Sequence, residues 1–180
     1  MKQLLVSIAI VFASVLTVGG QNSSFSLSGT WDFQIDRQDA GVKEQWFNKS
    51  LDESINLPGS MPEKLKGDEV TAKTQWTGSL YDSSYYYNPY MEKYRKEGNI
   101  KFPFFLTPDK HYVGAAWYQK EVNIPADWKG ERILLFLERP HIETTVWVNG
   151  QKTGIQNSLC VPHQYDITRY VRPGKCTITI

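Results

Sequence analysis

Apolar and polar positions alternate with period two along much of this chain, and most sharply in its last third. Residues 132–138 (RILLFLE), 144–149 (TTVWVN) and 176–180 (CTITI) combine that alternation with β-branched and aromatic side chains, which predicts three strands. Asn149-Gly150 follows the second run directly and supplies the two positive-φ positions of a tight primed hairpin turn, so the chain should reverse there toward residues 152–155. Residues 172–175 (RPGK) form a second turn signal, with proline presetting φ and glycine accepting the left-handed region. That turn launches the run at 176–180, which is expected to belong to a domain cut short at its C-terminus.

Nearer the N-terminus, residues 27–36 (LSGTWDFQID) alternate Leu27, Gly29, Trp31, Phe33 and Ile35 against polar partners, the pattern of a half-buried strand, expected at a sheet edge. A short strand follows at residues 55–61, ended by Pro58-Gly59. Many short strands between Gly and Pro turns, with little helical periodicity, predict an all-β fold, an antiparallel β-sandwich of the jelly-roll kind. A closed barrel is the structural alternative.

One segment, about residues 62–108, is long for a connection inside a compact domain. Its first part is charged and reads as a solvated excursion. Its second part concentrates aromatics, among them Trp76, Tyr81, Tyr85, Tyr86, Tyr87, Tyr90, Tyr94, Phe102, Phe104 and Phe105, which argues against disorder. A short helix is predicted inside it: Asn88 as N-cap, Pro89 at the first helical position, Glu92 and Lys96 spaced as an i,i+4 pair, and Gly98 past the end.

Residues 1–20 read as a secretory signal peptide: Lys2, an apolar run from Leu4 to Val18, then Gly19 and Gly20. A membrane anchor is the alternative, but the run is short for a span of roughly 20 residues. The protein is therefore expected to be exported, to a periplasmic or extracellular location, without stable membrane insertion. Residues 21–180 then form one domain. Loss of Lys2 leaves the mature chain formally neutral, because the whole chain has 20 Lys and Arg against 19 Asp and Glu. No basic footprint suits nucleic acid, and a neutral or mildly acidic glycan fits better. Cys160 and Cys176 do not make a disulfide framework, and Cys176 alternates with Ile178 and Ile180 like a core residue. His111, His141 and His163 lack metal-ligand spacing, and no cofactor is expected.

The order of signals in the last third resembles a known family. Residues 114–120 (GAAWYQK), 122–125 (VNIP), 132–137, 146–150 (VWVNG), 162–168 (PHQYDIT) and Pro173-Gly174 look like the N-terminal sugar-binding domain of glycoside hydrolase family 2, which includes β-galactosidases, β-glucuronidases and β-mannosidases. The resemblance covers about residues 27–180. It implies a galactose-binding-domain-like sandwich, followed in the whole protein by an immunoglobulin-like sandwich and a TIM barrel that carries two catalytic glutamates of a retaining exo-β-glycosidase. No catalytic residue is assigned within these 180 residues, and the missing barrel of the same polypeptide is the expected partner.

The resemblance lends this domain one site contribution. Asp166, in the Asp-Ile-Thr segment, matches an aspartate that contacts the terminal sugar, in some members with help from a sodium ion. A carboxylate suits that task because it accepts two sugar hydroxyls in charge-assisted bonds. Equally, Asp166 can cap its own turn near Thr168. His163 is a second candidate sugar contact or a locally bonded side chain. Where many members have Phe followed by an acidic or polar residue, this chain has His163-Gln164-Tyr165. Trp76, Tyr85, Tyr86 and Tyr87 either stack on a glycan or pack the insertion down. Two further functional classes compete with the hydrolase fragment: a freestanding carbohydrate-binding module, and a domain that only braces a barrel.

Overall fold

The structure, a computed structural model, describes residues 23–76, 83–102 and 106–180. The expected signal peptide, Tyr81, Phe104 and Phe105 lie outside the described residues.

The described residues form ten strands: β1 (Gly29–Asp36), β2 (Glu53–Leu57), β3 (Asp68–Glu69), β4 (Lys110–His111), β5 (Ala115–Ile124), β6 (Leu134–Leu137), β7 (Glu143–Val148), β8 (Gln151–Asn157), β9 (His163–Asp166) and β10 (Gly174–Thr179). Six make one antiparallel sheet in the order β2-β1-β5-β10-β7-β8, while β6 pairs with β9 and β3 with β4. The alternation read from the sequence is what lets two sheets close on each other. Trp31, Phe33, Ile55, Val122, Ile124, Val146, Val148, Cys176 and Ile178 from the large sheet meet Ile133, Leu135, Tyr165 and Ile167 from the β6–β9 side in one buried core. The fold is an all-β sandwich. Cys176 is buried and unpaired, as its alternation implied, and Cys160 is exposed and unpaired.

Asn149 (φ 49°) and Gly150 (φ 76°) close the β7–β8 hairpin with Val148 opposite Gln151, the primed geometry expected of Asn-Gly. The strand at residues 27–36 is not at an edge: β1 lies between β2 and β5, and β2 takes the edge. Alternation reports which face a strand buries, and carries no information about its neighbours. Nor is the opposite face of the large sheet left to water. Trp117 and Trp147 point there, stack with ring centres 5.0 Å apart, and are covered by Leu51, Trp46 and Phe47 from the β1–β2 connection.

The insertion holds a single helical turn, α1 (Ser84–Tyr87), and then a 3-10 turn, Pro89–Tyr94, where a helix was predicted. The predicted cap is present: Asn88 accepts the Tyr90 N–H at 3.0 Å, and Glu92 pairs with Lys96 at 3.3 Å. Tyr85 stacks on Phe102 (4.7 Å), and Trp76 packs edge-on against Phe102 (5.0 Å) and at a tilt against His111 of β4 (4.6 Å). The aromatics thus give the insertion a small core of its own.

Candidate functional site: a polar groove beside the insertion

At the end where β1 stops and β5 starts lies a groove of about 500 Å³, lined by Asp36, Arg37, Asp39, Asp68 and residues 112–115. That size suits a small ligand. Its floor is organised by Asp36, which is 3% exposed. The carboxylate accepts the N–H groups of Ala40 (2.9 Å) and Gly41 (2.7 Å) and the indole N–H of Trp117 (3.0 Å). Burial is the largest influence on this carboxyl and opposes its ionisation, but these donors together outweigh it and hold the group below the usual carboxylate range. Its charge is spent on the loop, so Asp36 is a positioning group.

The walls are more open. Arg37 pairs with Asp68 of β3 and lies over the Tyr112 ring, 5.5 Å from its centre. Tyr112 donates its hydroxyl to the Ala115 carbonyl at 3.0 Å, and burial pushes its phenol up. β3 can reach β4 because Gly67 (φ +128°) approaches the His111 backbone so closely that a Cβ would sit 3.1 Å from its carbonyl oxygen. The groove therefore offers a guanidinium, carboxylates and an aromatic wall, the group types that bind sugar hydroxyls. Sequence reading did not single out its residues. Asp36 and Ala115 are far apart in sequence and meet only through the β1–β5 register.

Asp166 lies at the C-terminal end of β9 and is exposed. Its Oδ1 accepts from the Thr168 N–H (3.1 Å) and hydroxyl (2.6 Å), and its Oδ2 from Arg132 Nε (2.9 Å). The Thr168 hydroxyl first, then Arg132, bring its carboxyl down to about 2. Asp166 thus caps its turn, one of the two alternatives open from the sequence. Of the roughly four acceptor positions on a carboxylate, three are used. It can accept one sugar hydroxyl as arranged, where two were expected. A guanidinium at hydrogen-bond distance also makes this a poor cation site, so the residues present do not fit a sodium ion. Among the described residues no group of His, Cys, Asp and Glu is arranged to hold a metal.

His163 is fully buried on β9, at 0% exposure. Its Nε2 N–H donates to the Ser158 carbonyl at 3.1 Å, and Nδ1 meets the Thr144 hydroxyl at 2.7 Å. The same hydroxyl meets the Tyr165 hydroxyl at 2.7 Å. Of the two readings open from the sequence, a sugar contact on a loop or a locally bonded side chain, the folded domain shows the second, on a strand, and presents no atom of His163 to a ligand. The inward alternation His163, Tyr165, Ile167 is the signal that places it in the core. Of the stacking candidates, Tyr85 is 2% exposed and Trp76 is half-buried, whereas Tyr86 and Tyr87 are exposed.

Strand registers separate these candidates. The insertion joins the sheet where Ala115 faces Asp36. Asp166 leads into the turn whose Tyr170 carbonyl is held by Asn149, and Asn149 bonds Thr177, which pairs with Glu121. From Ala115 to Glu121 the strand climbs roughly 20 Å. Asp166 and the aromatic insertion therefore lie toward opposite ends of the strands.

The described residues thus define an antiparallel β-sandwich domain with a polar groove at one end and an aromatic insertion. The chain belongs to glycosyl hydrolases family 2, as its sugar binding domain, with the family model matching residues 25–180. It is 25% identical over 152 residues to a β-glucuronidase of Paenibacillus borealis, covering 83% of this chain and 19% of that protein. It is 24% identical over 158 residues to a β-galactosidase of Priestia megaterium, covering 86% of this chain and 14% of that protein. A solved β-glucuronidase from Ruminococcus gnavus, in complex with an N1-substituted uronic isofagomine, shares the fold with a TM-score of 0.58 at 22% identity, over 86% of this chain and 21% of that one. The chain spans about a fifth or less of the length of these proteins.

Proposed function

We propose that this domain is the non-catalytic, sugar-binding part of an exported retaining exo-β-glycosidase that removes terminal β-linked sugars from glycans. The observation that carries the reading is the match to β-glucuronidases and a β-galactosidase over more than four-fifths of this chain and about a fifth or less of theirs. Retaining hydrolysis needs two carboxyl groups roughly 5 Å apart. Here Asp36 holds a loop, Asp166 holds a turn and Asp68 is paired with Arg37. These three carboxylates serve structure and positioning, and the catalytic pair is assigned to a barrel elsewhere in the polypeptide.

The cheapest test is the coding sequence beyond the codon for Ile180. A continuing frame that encodes a second sandwich and a barrel with two glutamates is expected, and a stop codon there would refute the enzyme reading. The intact protein should then release p-nitrophenol from a β-glucuronide, β-galactoside or β-mannoside with retention at the anomeric carbon, read by NMR. N-terminal sequencing of the mature protein should begin close to residue 21 if residues 1–20 direct export.

The free acceptor position on Asp166 supports a second, narrower reading, in which this carboxylate takes one hydroxyl of the terminal sugar. Replacing Asp166 by Asn, which keeps a turn-capping oxygen, should then weaken sugar affinity while leaving the melting temperature nearly unchanged. A fall in melting temperature with unchanged affinity would restrict Asp166 to the turn.

A further inference from the structure

The small sheet is closed on one side and open on the other. Beyond β9, the Gln156 amide donates to the Gln164 carbonyl and accepts the Gln164 N–H at 3.1 Å, standing in for a further strand. Beyond β6, no strand of the described residues pairs. Ile133 gives its N–H to the Thr168 hydroxyl (2.9 Å) and its carbonyl to the Ile167 N–H (3.0 Å), on the β9 side. By the alternation of an antiparallel ladder, Leu135 and Leu137 face β9 in the same way, so the N–H and carbonyl groups of Leu134 and Phe136 point to the open edge. The same two residues have exposed side chains, Leu134 at 46% and Phe136 at 52%. Natural edges are commonly blunted by lysine, proline or a bulge. β6, Leu-Leu-Phe-Leu in regular register, carries none of these.

The flanking charges say what pairs there. Residues 131–139 read Glu-Arg-Ile-Leu-Leu-Phe-Leu-Glu-Arg, with the same acid–base doublet in the same order at each end. An antiparallel copy reverses that order. Laid against the first strand about a two-fold axis at Leu135, it sets Arg132 opposite Glu138, Glu131 opposite Arg139 and Leu134 opposite Phe136, each pairing made twice. That register also satisfies the ladder, because the edge-facing positions 132, 134, 136 and 138 meet one another. A slip of two residues sets Glu138 against Leu134 or Arg132 against Phe136 and loses the ion pairs, while in-register parallel pairing sets like charge on like. Both charges are within reach of solvent: the Arg132 side chain is 73% exposed and that of Glu138 70%. Arg132 bonds Asp166 through Nε, which leaves its two Nη groups for a second carboxylate.

We propose that the open edge of β6 is a self-association surface, on which a second copy of this chain adds its own β6 antiparallel to the first. Two two-stranded sheets thereby become one of four strands. Leu134 and Phe136 of both copies form an apolar patch on the shared face, bounded at each end by an Arg132–Glu138 pair. The pairing is independent of the sugar-binding reading, since Asp166 lies one strand in from the edge and keeps its free acceptor position.

Sedimentation equilibrium of the intact protein should show a dimer, or an oligomer built from dimers. Glu138→Lys sets a cation against Arg132 of the second copy at both ends of the pairing. It should raise the dissociation constant at least about tenfold, with the circular dichroism spectrum unchanged because Glu138 is exposed. A second measurement reads the register. In a Cys160→Ser background, an oxidised mixture of Leu134→Cys and Phe136→Cys chains should yield a disulfide between position 134 of one copy and 136 of the other, found by mass spectrometry of a digest. Directly opposed hydrogen-bonded positions lie about 5.5 Å apart at Cα, within disulfide reach. Either chain oxidised alone should not cross-link there, because its two copies lie more than about 7 Å apart. A monomeric intact protein at concentrations up to about 1 mM, the result expected if the rest of the polypeptide covers this edge, would overturn the proposal. So would an oligomer that Glu138→Lys leaves unaltered, or a mixture without the 134–136 disulfide.

Discussion

Replacing Asp36 by Ala tests whether a single carboxylate organises the groove. Asp36 is 3% exposed and accepts three N–H donors at 2.7–3.0 Å, from Ala40, Gly41 and Trp117, the last two buried. An orphaned buried donor costs about 1–3 kcal/mol. With water reaching the part-buried Ala40 N–H, the variant should lose about 3–5 kcal/mol, a large share of a typical domain's 5–15 kcal/mol. Asn at this position keeps one acceptor oxygen but turns an amide donor toward the others, so it should lose less, about 1–3 kcal/mol. The pH dependence carries its own sign. The folded carboxyl is held below its unfolded value of about 3.9, so its stabilisation is complete above that value and disappears as pH falls through the lower folded value. Urea unfolding of the chain followed by tryptophan fluorescence, at pH 7 and in steps down to pH 2, measures both. If Ala and Asn variants lie within about 0.5 kcal/mol of the parent at pH 7, or if the Asn deficit does not shrink on acidification, Asp36 does not hold the loop as argued.

Other perturbations bear on neighbouring features. Gly41→Ala would place a Cβ 2.4–2.7 Å from three atoms of the Trp117 ring, so it should destabilise by about 1–3 kcal/mol in chemical unfolding. By contrast, Gly154→Ala meets the Tyr165 ring at 3.4 Å, ordinary contact, and should change stability by less than about 1 kcal/mol. Asn149→Ala removes the acceptor for the Thr177 N–H and the donor to the Tyr170 carbonyl, besides a residue suited to φ 49°; a loss of about 1–2 kcal/mol is expected from the same unfolding measurement. His163→Ala leaves the Thr144 hydroxyl and Ser158 carbonyl without their ring partner in a fully closed space. It should cost about 2–4 kcal/mol, whereas the ligand affinity of variants that still fold should be unaltered.

Strand positions were legible because the core is built from single-faced alternation: Trp31 with Phe33, Cys176 with Ile178, and Ile133 with Leu135 all bury in one cluster. The β7–β8 turn was legible because Asn149 and Gly150 are chemically suited to the positive φ they adopt. What escaped was everything that depends on pairing between distant segments. The order of strands that puts β1 inside the sheet is one such feature, and the second aromatic layer is another. The continuous apolar run Val146-Trp147-Val148 does carry a signal for that layer, since a strand buried on both faces loses its alternation. The bulge at Val146/Trp147 lies within this run.

The same reasoning explains why the site was harder to read than the fold. Asp166 was singled out through the family resemblance, and its turn-capping role was legible because that turn is local: the carboxylate and the Thr168 hydroxyl it accepts are two residues apart. The groove is assembled from the end of β1, the two-residue strand β3 and the approach to β5, and none of these short segments has a pattern by itself. Its organising contact, from Asp36 to Trp117, spans 81 residues. The aromatic insertion shows the opposite case, in which composition announced an ordered unit but could not divide its rings. Tyr85 and Tyr87 are both aromatic, in one run, two residues apart; one is 2% exposed and the other 72%. Helical geometry makes that division, because positions two apart in a turn point about 200° apart, so Phe102 can cover Tyr85 but not Tyr87. A run of identical side chains on such a turn therefore divides between core and surface, so Tyr85→Ala should lower the melting temperature while Tyr87→Ala leaves it near the parent value.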